Sequence, residues 1–507
     1  MNDHEPPAVG NRSLIFLAFS LILACVFDYF FIWNIPGISA PAFTILIGVS
    51  LILLTWLFRR KFSRDVLLLL LLALFFSVMV AIRANPLLTV LNILATMLVL
   101  LLVTEVNVRG SIREFIPYDY LKILGLPLSY FISLIDTVTS VRLPFSKPAN
   151  TRSKQIIRGV LITVPILILF VLLFAGADPT FHELLSVIFN LHLVSPEHPY
   201  VILIAFAGLC GALGYSFSAR SPAKDSTTTP KRPMGHIETS ILLGSVNALF
   251  LTFIGLQATY LFGGVLNITN DTFTFAEYAR QGFFELIAVS AFSYLIMLAT
   301  EKLIERNAEH HSKAFKYLST ALVVQVMVLM VFAFNRLSLY EAAFGFTTLR
   351  LYSHAFIILL AVVYVFLLYK IFVDTRENTF SLRIFFAVVV FLAGMNFLNP
   401  DAFIAQKNLD RYATAGKLDV WYLMGLSEDA TAEKMKALQT VDANMHGVIA
   451  RSLYGEYEAD QQEGFTWQSW NLARERERAA LEQKLPELRT YKDYIADPPI
   501  PFYGSDL

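Results

Sequence analysis

The stretch DVLLLLLLALFFSVMVAI at residues 65–82 decides the fold, and its only charged residue is Asp65 at the first position. A transmembrane helix needs roughly 20 consecutive apolar residues, within a range of about 17–25. This stretch has that length and is continuously apolar, whereas a strand of a membrane barrel alternates apolar and polar residues. Because backbone polar groups in lipid must be paired within their own segment, the stretch predicts a membrane-spanning α-helix.

Comparable apolar runs recur along the chain up to residue 398. The 507 residues are 56% hydrophobic and only 16% charged, whereas a typical soluble protein has about 25% charged residues. The sequence therefore predicts an all-α, polytopic transmembrane helix bundle of about 11 spans in a lipid bilayer, followed by a C-terminal soluble helical domain. The predicted spans are 14–33, 41–58, 65–82, 87–104, 157–175, 200–218, 241–264, 283–300, 317–334, 351–372 and 382–398.

The composition also limits the classes of partner and cofactor. The formal net charge is +0, and no nucleic-acid-binding motif is present, so no nucleic-acid partner is predicted. Cys25 and Cys210 both lie in apolar runs, which argues against a disulfide framework and a thiolate metal site. The spacing of His182, His192 and His198 matches no metal-ligand motif. We predict no cofactor, no metal ion and no catalytic residue set.

The distribution of Lys and Arg between loops predicts the orientation of the protein. Most of these residues lie in one set of alternate loops, namely 59–64, 105–158, 219–240, 301–316 and 370–383. The other set holds only Arg83, Arg280, Arg336 and Arg350. Positively charged loops accumulate on the cytoplasmic side of a membrane. We therefore expect a multi-pass protein with its N-terminus in the cytoplasm.

Three stretches between spans are predicted to lie outside the bilayer core. Residues 120–141 carry Lys122 and Asp136, and a span there would move every later basic loop outside. We expect an interfacial helix on the cytoplasmic surface instead. Residues 181–194 are too short to span and are predicted to lie on the outer surface. Residues 219–239 are rich in Pro, Ser, Thr and Lys, which is typical of a flexible loop.

Long apolar runs stop at the end of the membrane region, which is predicted to comprise 1–398. The segments EDATAEKMKALQTV and WQSWNLARERERAALEQKL are dominated by Ala, Leu, Glu, Lys and Arg, as helices are. Residues 399–507 therefore predict a soluble α-helical domain, large enough for a small core. With 11 spans it is extracytoplasmic. Trp467 and Trp470 are expected to pack at the edge of that core.

Three polar stretches beside spans supply the candidate functional residues, because charge near lipid is costly unless it is paired or hydrated. The first is EYARQGFFEL, which supplies Tyr278, Arg280 and Glu285. In one interpretation Glu285 points into the bundle and meets a cation such as Arg336 or Arg350. In the other interpretation it forms a structural ion pair that fixes helix packing.

The second stretch is NRLSLYEAAFG at 335–345, together with the residues that open the next span. It supplies Arg336, Tyr340, Glu341 and Arg350. Arginines beside carboxylates are typical of a pocket for a carboxylate or phosphate ligand. The same residues are also suited to docking the C-terminal domain onto the membrane region, and both interpretations remain open.

The third stretch is NPDAFIAQKNLDRY at 399–412, which supplies Asn399, Asp401, Asn408 and Arg411. Asn-Pro ends the last predicted span, and an Asp at this position can cap the helix that follows. His354 lies inside a predicted span. There it forms either a hydrogen bond between helices or part of a proton relay.

These stretches resemble a bacterial membrane family. The patterns YAR-x-GFFEL, RLSLYE-x-A-(F/Y)G and NPD-x-x-(I/V)A-x-x-N-x-DRY are similar to those of the domain-of-unknown-function family 4173, a relative of family 4153. WQSWNLARER at 467–476 is similar to its terminal helix. The resemblance covers residues 240–480 and implies a polytopic protein of the bacterial inner (plasma) membrane. It implies no activity.

Three functions are consistent with the sequence. The first is a structural or signalling component of the envelope, with an outer-face charged cluster and an envelope protein or a small anionic ligand as its partner. We favour it because no catalytic set accompanies the helical domain. The second is a transporter of a small polar or anionic solute, which would use Glu285, His354 and the arginines. The third is an envelope enzyme that acts on a lipid-linked substrate.

Overall fold

The computed structural model describes residues 9–61, 63–139, 197–217, 236–262, 283–303, 309–462, 464 and 466–495. Every regular element within these residues is an α-helix or a 3₁₀-helix, which confirms the all-α fold class. The α-helices are α1 (Val9–Phe31), α2 (Ser39–Leu57), α3 (Arg64–Ile82), α4 (Pro86–Arg109), α5 (Pro117–Ile123), α6 (Leu126–Thr139), α7 (Glu197–Ser216), α8 (His236–Phe262), α9 (Phe283–Leu303), α10 (Glu309–Phe344), α11 (Thr348–Phe372), α12 (Glu377–Leu398), α13 (Pro400–Ala415), α14 (Val420–Met424), α15 (Thr431–Thr440), α16 (Ala443–Gln462) and α17 (Leu472–Leu488).

Seven helices in the described residues are long and apolar enough to cross a membrane, and they are α1 to α4 and α10 to α12. Helices α7, α8 and α9 coincide with three further predicted spans, although their apolar segments are shorter. The predicted span 157–175 lies outside the described residues, as does the predicted surface stretch 181–194. The chain is therefore a polytopic helical membrane protein, and the number of 11 spans remains a prediction.

The stretch predicted to lie along the membrane surface forms two short helices rather than one. Helix α5 ends at Ile123 and α6 begins at Leu126, so neither helix is long enough to span. Helix α6 approaches α7 so closely that a Cβ atom on Gly211 would collide with the main chain of Tyr130. Small residues permit such contact between helices in membranes. The location of α6 on the cytoplasmic surface remains a prediction.

Residue contacts divide the chain into two compact units. The first comprises Met1–Ile82, Thr89–Ala223 and Phe465–Leu472, and the second comprises Arg83–Leu88, Lys224–Gly464 and Ala473–Leu507. Of the predicted flexible loop 219–239, only the residues from His236 onward are described, and they already belong to α8.

The described residues of the second unit form two hydrophobic cores. One core is built from α8 to α11 and from Phe380 of α12. The other is built from α13 to α17 and also includes Leu351 of α11, with Phe346 packed against it. Burying a Leu side chain contributes about 1.5–3 kcal/mol to stability. The helices after Asn399 therefore share their core with the beginning of α11, and the limits of a separate domain at 399–507 remain a prediction.

Candidate functional site

The first polar stretch contributes little to the described site. Tyr278 and Arg280 lie outside the described residues, and the side chain of Glu285 is likewise not described, although its backbone belongs to α9. The proposed pairing of Glu285 with Arg336 or Arg350 therefore remains a prediction. Arg336 itself lies in α10 and is buried.

Arg350 and Tyr340 contact each other across the turn between α10 and α11. The Arg350 guanidinium lies 4.1 Å from the centroid of the Tyr340 ring. It also donates from Nη1 to the Gly345 carbonyl over 2.6 Å. A guanidinium over an aromatic face contributes about 0.5–2 kcal/mol, and more when it is desolvated. Arg350 therefore stabilises the turn through contacts with the protein itself.

Glu341 and His354 form a buried pair that joins α10 to α11. The Nδ1 atom of His354 lies 3.1 Å from Oε1 of Glu341. On the other side of the ring, Nε2 lies 3.3 Å from the Ser338 hydroxyl and 3.3 Å from the Phe334 carbonyl. The two helices are thus linked by a buried contact between a carboxylate and an imidazole.

Helix α13 is fixed to the α10–α11 turn by Asn408 and Arg411. The Asn408 amide makes both possible hydrogen bonds with the main chain of Phe346, accepting from N at 2.8 Å and donating to O at 2.9 Å. Arg411 donates to the carbonyl of Ala343. The Asn408 amide thus offers the main chain of Phe346 one acceptor and one donor, as a neighbouring strand does in a β-bridge. Together with the Arg411 contact, these bonds fix both the position and the direction of α13.

Gly345 makes this close approach possible. Its φ angle is +88°, a conformation that side chains with a Cβ atom disfavour. An added Cβ atom would lie 2.8 Å from Oδ1 of Asn408 and 3.2 Å from Nη1 of Arg411. Glycine is therefore required at this position for two independent reasons, the backbone conformation and the space taken by α13.

Asp401 is almost fully buried at the first turn of α13, and all its described partners are protein donors. The Asn85 side chain donates to Oδ1 over 2.7 Å. The Ser427 backbone N–H donates to Oδ2 over 3.0 Å, and its hydroxyl donates to the same oxygen. A buried carboxylate needs such donors because an unpaired one is strongly destabilising. The Asp401 carboxylate thus connects three separate segments.

Asp429 is a second carboxylate that connects separate segments, and it lies near Asp401. It was not among the candidate residues chosen from the sequence. Its Oδ2 accepts from the backbone N–H groups of Ala84 and Asn85 over 2.7 and 2.9 Å. Arg83 lies 3.5 Å from Oδ1. Burial raises the pKa of this carboxyl, against the opposing effects of the two N–H donors and Arg83. Asn399, in a left-handed conformation with φ of 54°, donates to the Asp429 carbonyl over 3.2 Å.

We call these contacts the docking cluster. Tyr422 completes it, because its hydroxyl accepts from the Thr348 backbone N–H over 2.7 Å. Burial raises the pKa of Tyr422, so the hydroxyl stays protonated. The residues of the docking cluster are Arg83, Ala84, Asn85, Ala343, Gly345, Phe346, Thr348, Arg350, Asn399, Asp401, Asn408, Arg411, Tyr422, Ser427 and Asp429.

A second charged group that the sequence analysis missed lies among α15 to α17. Lys434 is 1% exposed, and its ammonium lies 3.1 Å from Oε1 of Glu456. Glu477 accepts from the Thr431 hydroxyl over 3.2 Å. Burial raises the pKa of Glu477 to about 7, and the nearby carboxylate of Glu456 adds to this effect. The spacing of residues along one helix could not indicate this charged group, because its members come from three different helices.

The first unit has its own buried charged network, which the sequence analysis also missed. Glu105 of α4 lies 2.6 Å from Nε of Arg109. The Tyr215 hydroxyl donates to its other oxygen over 2.5 Å. Arg109 also pairs with the buried Asp119 over 3.0 Å. Within the described residues, no group of three or more His, Cys, Asp or Glu side chains could hold a metal ion.

The docking cluster and the Glu341–His354 pair differ in the chemistry of their contacts. In the docking cluster, carboxylates and amides are paired with donors and acceptors of neighbouring segments, so the cluster holds segments together. The Glu341–His354 pair instead places a carboxylate against an imidazole inside two candidate spans. The described geometry thus supports docking in the cluster and a buried polar link between α10 and α11.

One family model matches most of the chain. The family with the description Domain of unknown function (DUF4153) matches residues 70–436. The match begins far earlier than residue 240, where the sequence resemblance was predicted to begin, and ends before the WQSWNLARER segment. No curated protein and no solved structure matches the chain. The more specific resemblance to family 4173 remains a prediction. The match covers most of the chain, which therefore belongs to the DUF4153 family and is a membrane protein of unassigned activity.

Proposed function

We propose that this protein is a structural or signalling component of the bacterial cell envelope, in which the helices after Asn399 are docked on the α10–α11 turn. The observation that carries the proposal is the pairing of buried and part-buried polar side chains with groups of other segments. Asn408 binds both polar main-chain atoms of Phe346. Asp401 binds Ser427 and Asn85. Hydrogen-bonded networks of this kind favour one arrangement of segments, because each bond that is lost leaves a costly unpaired group.

This arrangement supports transmission of a signal as well as stability. The α10–α11 turn is bonded to α13 by side chains, and α10 and α11 are themselves candidate membrane spans. A displacement of either span therefore changes the geometry of the α13 contacts directly. A ligand or envelope protein that binds α13 to α17 would act on the spans through the same bonds, because coupling between two sites is reciprocal.

The experiment that tests the docking role is limited proteolysis of the full-length protein in lipid nanodiscs. Asn408→Ala removes two hydrogen bonds to Phe346. Losing the hydrogen bonds of this part-buried amide costs about 1–3 kcal/mol, which corresponds to roughly 5- to 150-fold faster cleavage within residues 400–495 when local opening limits cleavage. The matched control is Asp410→Asn on the same helix, whose side chain is exposed. Equal cleavage rates for Asn408→Ala and wild type would refute the docking role.

We also propose that the N-terminus is cytoplasmic and that α13 to α17 are extracytoplasmic in the inner (plasma) membrane. The uneven distribution of Lys and Arg between alternate loops supports this orientation. Asp410→Cys and Lys61→Cys both place a thiol at an exposed position, on opposite predicted sides. In intact cells without Cys25 and Cys210, a membrane-impermeant maleimide should label Asp410→Cys only. Labelling of Lys61→Cys alone reverses the orientation.

A second candidate function rests on the Glu341–His354 pair. Both residues are buried in candidate spans, and ionisable side chains within spans frequently mark solute or proton pathways. A transporter of a small polar or anionic solute would use this pair to couple transport to protons. The test is proton-dependent solute flux in proteoliposomes, compared with His354→Ala. Flux that His354→Ala leaves unchanged would remove the pair from the pathway.

A further inference from the structure

Two tryptophans from the C-terminal region are held at the end of membrane-spanning helices of the first unit. The Trp470 carbonyl accepts from the Ile38 backbone N–H over 2.9 Å. A Cβ atom on Gly37 would collide with the same carbonyl, so the two chain segments are in direct contact. Asn471 donates to the Val80 carbonyl over 3.0 Å. The main chain around Trp470 is therefore fixed to both α2 and α3.

These contacts define the height of the tryptophans relative to the bilayer. Ile38 directly precedes α2, whose 19 residues extend over about 28 Å at 1.5 Å per residue. That length matches the hydrocarbon core of a bilayer, about 30 Å thick. At the opposite end of α2 lies Trp56, followed by Arg59 and Arg60. Trp470, one hydrogen bond away from Ile38, therefore lies at the level of one membrane face.

The side chains at this level are aromatic and exposed. Trp467 is 52% exposed and Trp470 is 40% exposed. Their segment forms a 3₁₀ turn at Trp467–Ser469, and their position at the edge of a core remains a prediction. Trp33, at the α1–α2 turn, is 75% exposed. One face of Trp467 packs against Phe30, with ring centroids 5.5 Å apart.

We propose that Trp33, Trp467 and Trp470 form a lipid-binding surface that lies in the phospholipid headgroup layer and anchors residues 466–471 to the bilayer. Indole rings favour this layer because their apolar body enters the acyl region while the N–H group meets water and headgroups. The occupant is phospholipid because the exposed rings lie at the end of helices whose apolar surface must be covered by lipid. Leu21 and Ile22 of α1, for example, are 52% and 63% exposed.

The surface can be tested by fluorescence quenching in proteoliposomes. One variant keeps Trp467 as its single tryptophan, with Trp33, Trp56, Trp421 and Trp470 changed to Phe. Phosphatidylcholine brominated near the headgroup should quench this tryptophan at least twofold more than phosphatidylcholine brominated near the chain end. A second single-tryptophan variant that keeps Trp56 gives the reference for an interfacial position, because α2 ends there.

The quenching pattern separates the possible positions of the ring. Strong quenching by aqueous iodide, at the level of free N-acetyltryptophanamide, without quenching by brominated lipid would overturn the proposal. Single substitutions give a second measurement that does not depend on the folding of the variants with four Trp→Phe substitutions. In the wild-type background, Trp467→Phe and Trp470→Phe should each reduce the lipid-quenched part of the emission. An unchanged lipid-quenched part in both would also overturn the proposal, and neither result depends on the docking of α13.

Discussion

Asn85 donates from Nδ2 to Oδ1 of Asp401 over 2.7 Å, while its own Oδ1 accepts from the backbone N–H of Leu88 over 2.8 Å. One amide group therefore caps the first turn of α4 and also fixes the start of α13. An amide is required for both roles, because the first needs an acceptor and the second needs a donor. The two roles can be separated by substitutions that preserve only one of them.

Asn85→Asp keeps the acceptor for Leu88 but places a second carboxyl against Asp401. One carboxyl of such a pair holds a proton in the folded state, so its pKa is raised above the unfolded value. A raised folded pKa gives a contribution to stability that is complete at low pH and lost as the pH rises. We expect Asn85→Asp to melt near wild type at pH 5 and several degrees lower at pH 8. Asn85→Ala should melt lower by a similar amount at both pH values. Equal losses for Asn85→Asp at both values would contradict the shared hydrogen bond.

Gly345 and Gly416 offer a comparison of two left-handed glycines. Both have positive φ angles, +88° and +66°. An added Cβ atom meets Asn408 and Arg411 at Gly345 but nothing within 4 Å at Gly416. Alanine at either position costs about 1–2 kcal/mol through the backbone. We expect Gly345→Ala to cost clearly more than Gly416→Ala in urea unfolding, by the contacts it breaks with α13. Equal midpoints would show that the α13 side chains move aside without cost.

Lys434 lies among carboxylates and is 1% exposed. Lys434→Ala leaves Glu456 without its ion-pair partner at 3.1 Å, and breaking a buried pair typically costs about 3–5 kcal/mol. Because Glu456 is partly exposed, we expect the lower end of that range. The matched control is Lys436→Ala, two residues later on α15 and exposed. Thermal unfolding distinguishes the two when it is followed by the emission of Trp421 in a background where the other four tryptophans are changed to Phe. A similar small loss in both variants would mean that Glu456 is solvated without Lys434.

The sequence predicted the helical membrane fold because apolar runs of spanning length are local signals. It also singled out Asp401, Asn408 and Arg411 as candidates, because polar and charged groups at the end of a span need partners. The sequence could not name the partners. Asn85 is separated from Asp401 by most of the chain, and no periodicity relates them.

Asp429 and Glu477 were not identified from the sequence, because acidic residues are common in the local sequence around each of them. In the sequence, Asp429 is one acidic residue in the first turn of a helix, where acidic residues are common. In the structure it binds the N–H groups of Ala84 and Asn85. Glu477 lies in a helix whose acidic and basic residues alternate, so it does not stand out. Only the packing of α15 and α16 against it creates the buried position that raises its pKa.

Glu477 should make the stability of the C-terminal helices depend on pH. Burial raises its pKa to about 7, whereas the ordinary value for Glu is about 4.3. The groups that face it are Lys434, Glu456, Glu428 and the Thr431 hydroxyl. The folded pKa lies above the unfolded value, so the stabilising contribution is complete below about pH 4 and is lost as the pH rises through 7.

Glu477→Gln should remove this dependence, because glutamine has no proton to lose and keeps an acceptor for Thr431. We expect wild type to lose roughly 2–3 kcal/mol of stability in these helices between pH 5 and pH 8, and Glu477→Gln to lose much less. The control is Glu475→Gln on the same helix, whose side chain is 52% exposed, and which should follow the wild-type curve. The measurement is the urea midpoint across that pH range, followed by the emission of Trp421 in the same single-tryptophan background. If Glu477→Gln follows the wild-type curve as well, the pH dependence comes from other groups, such as Asp429.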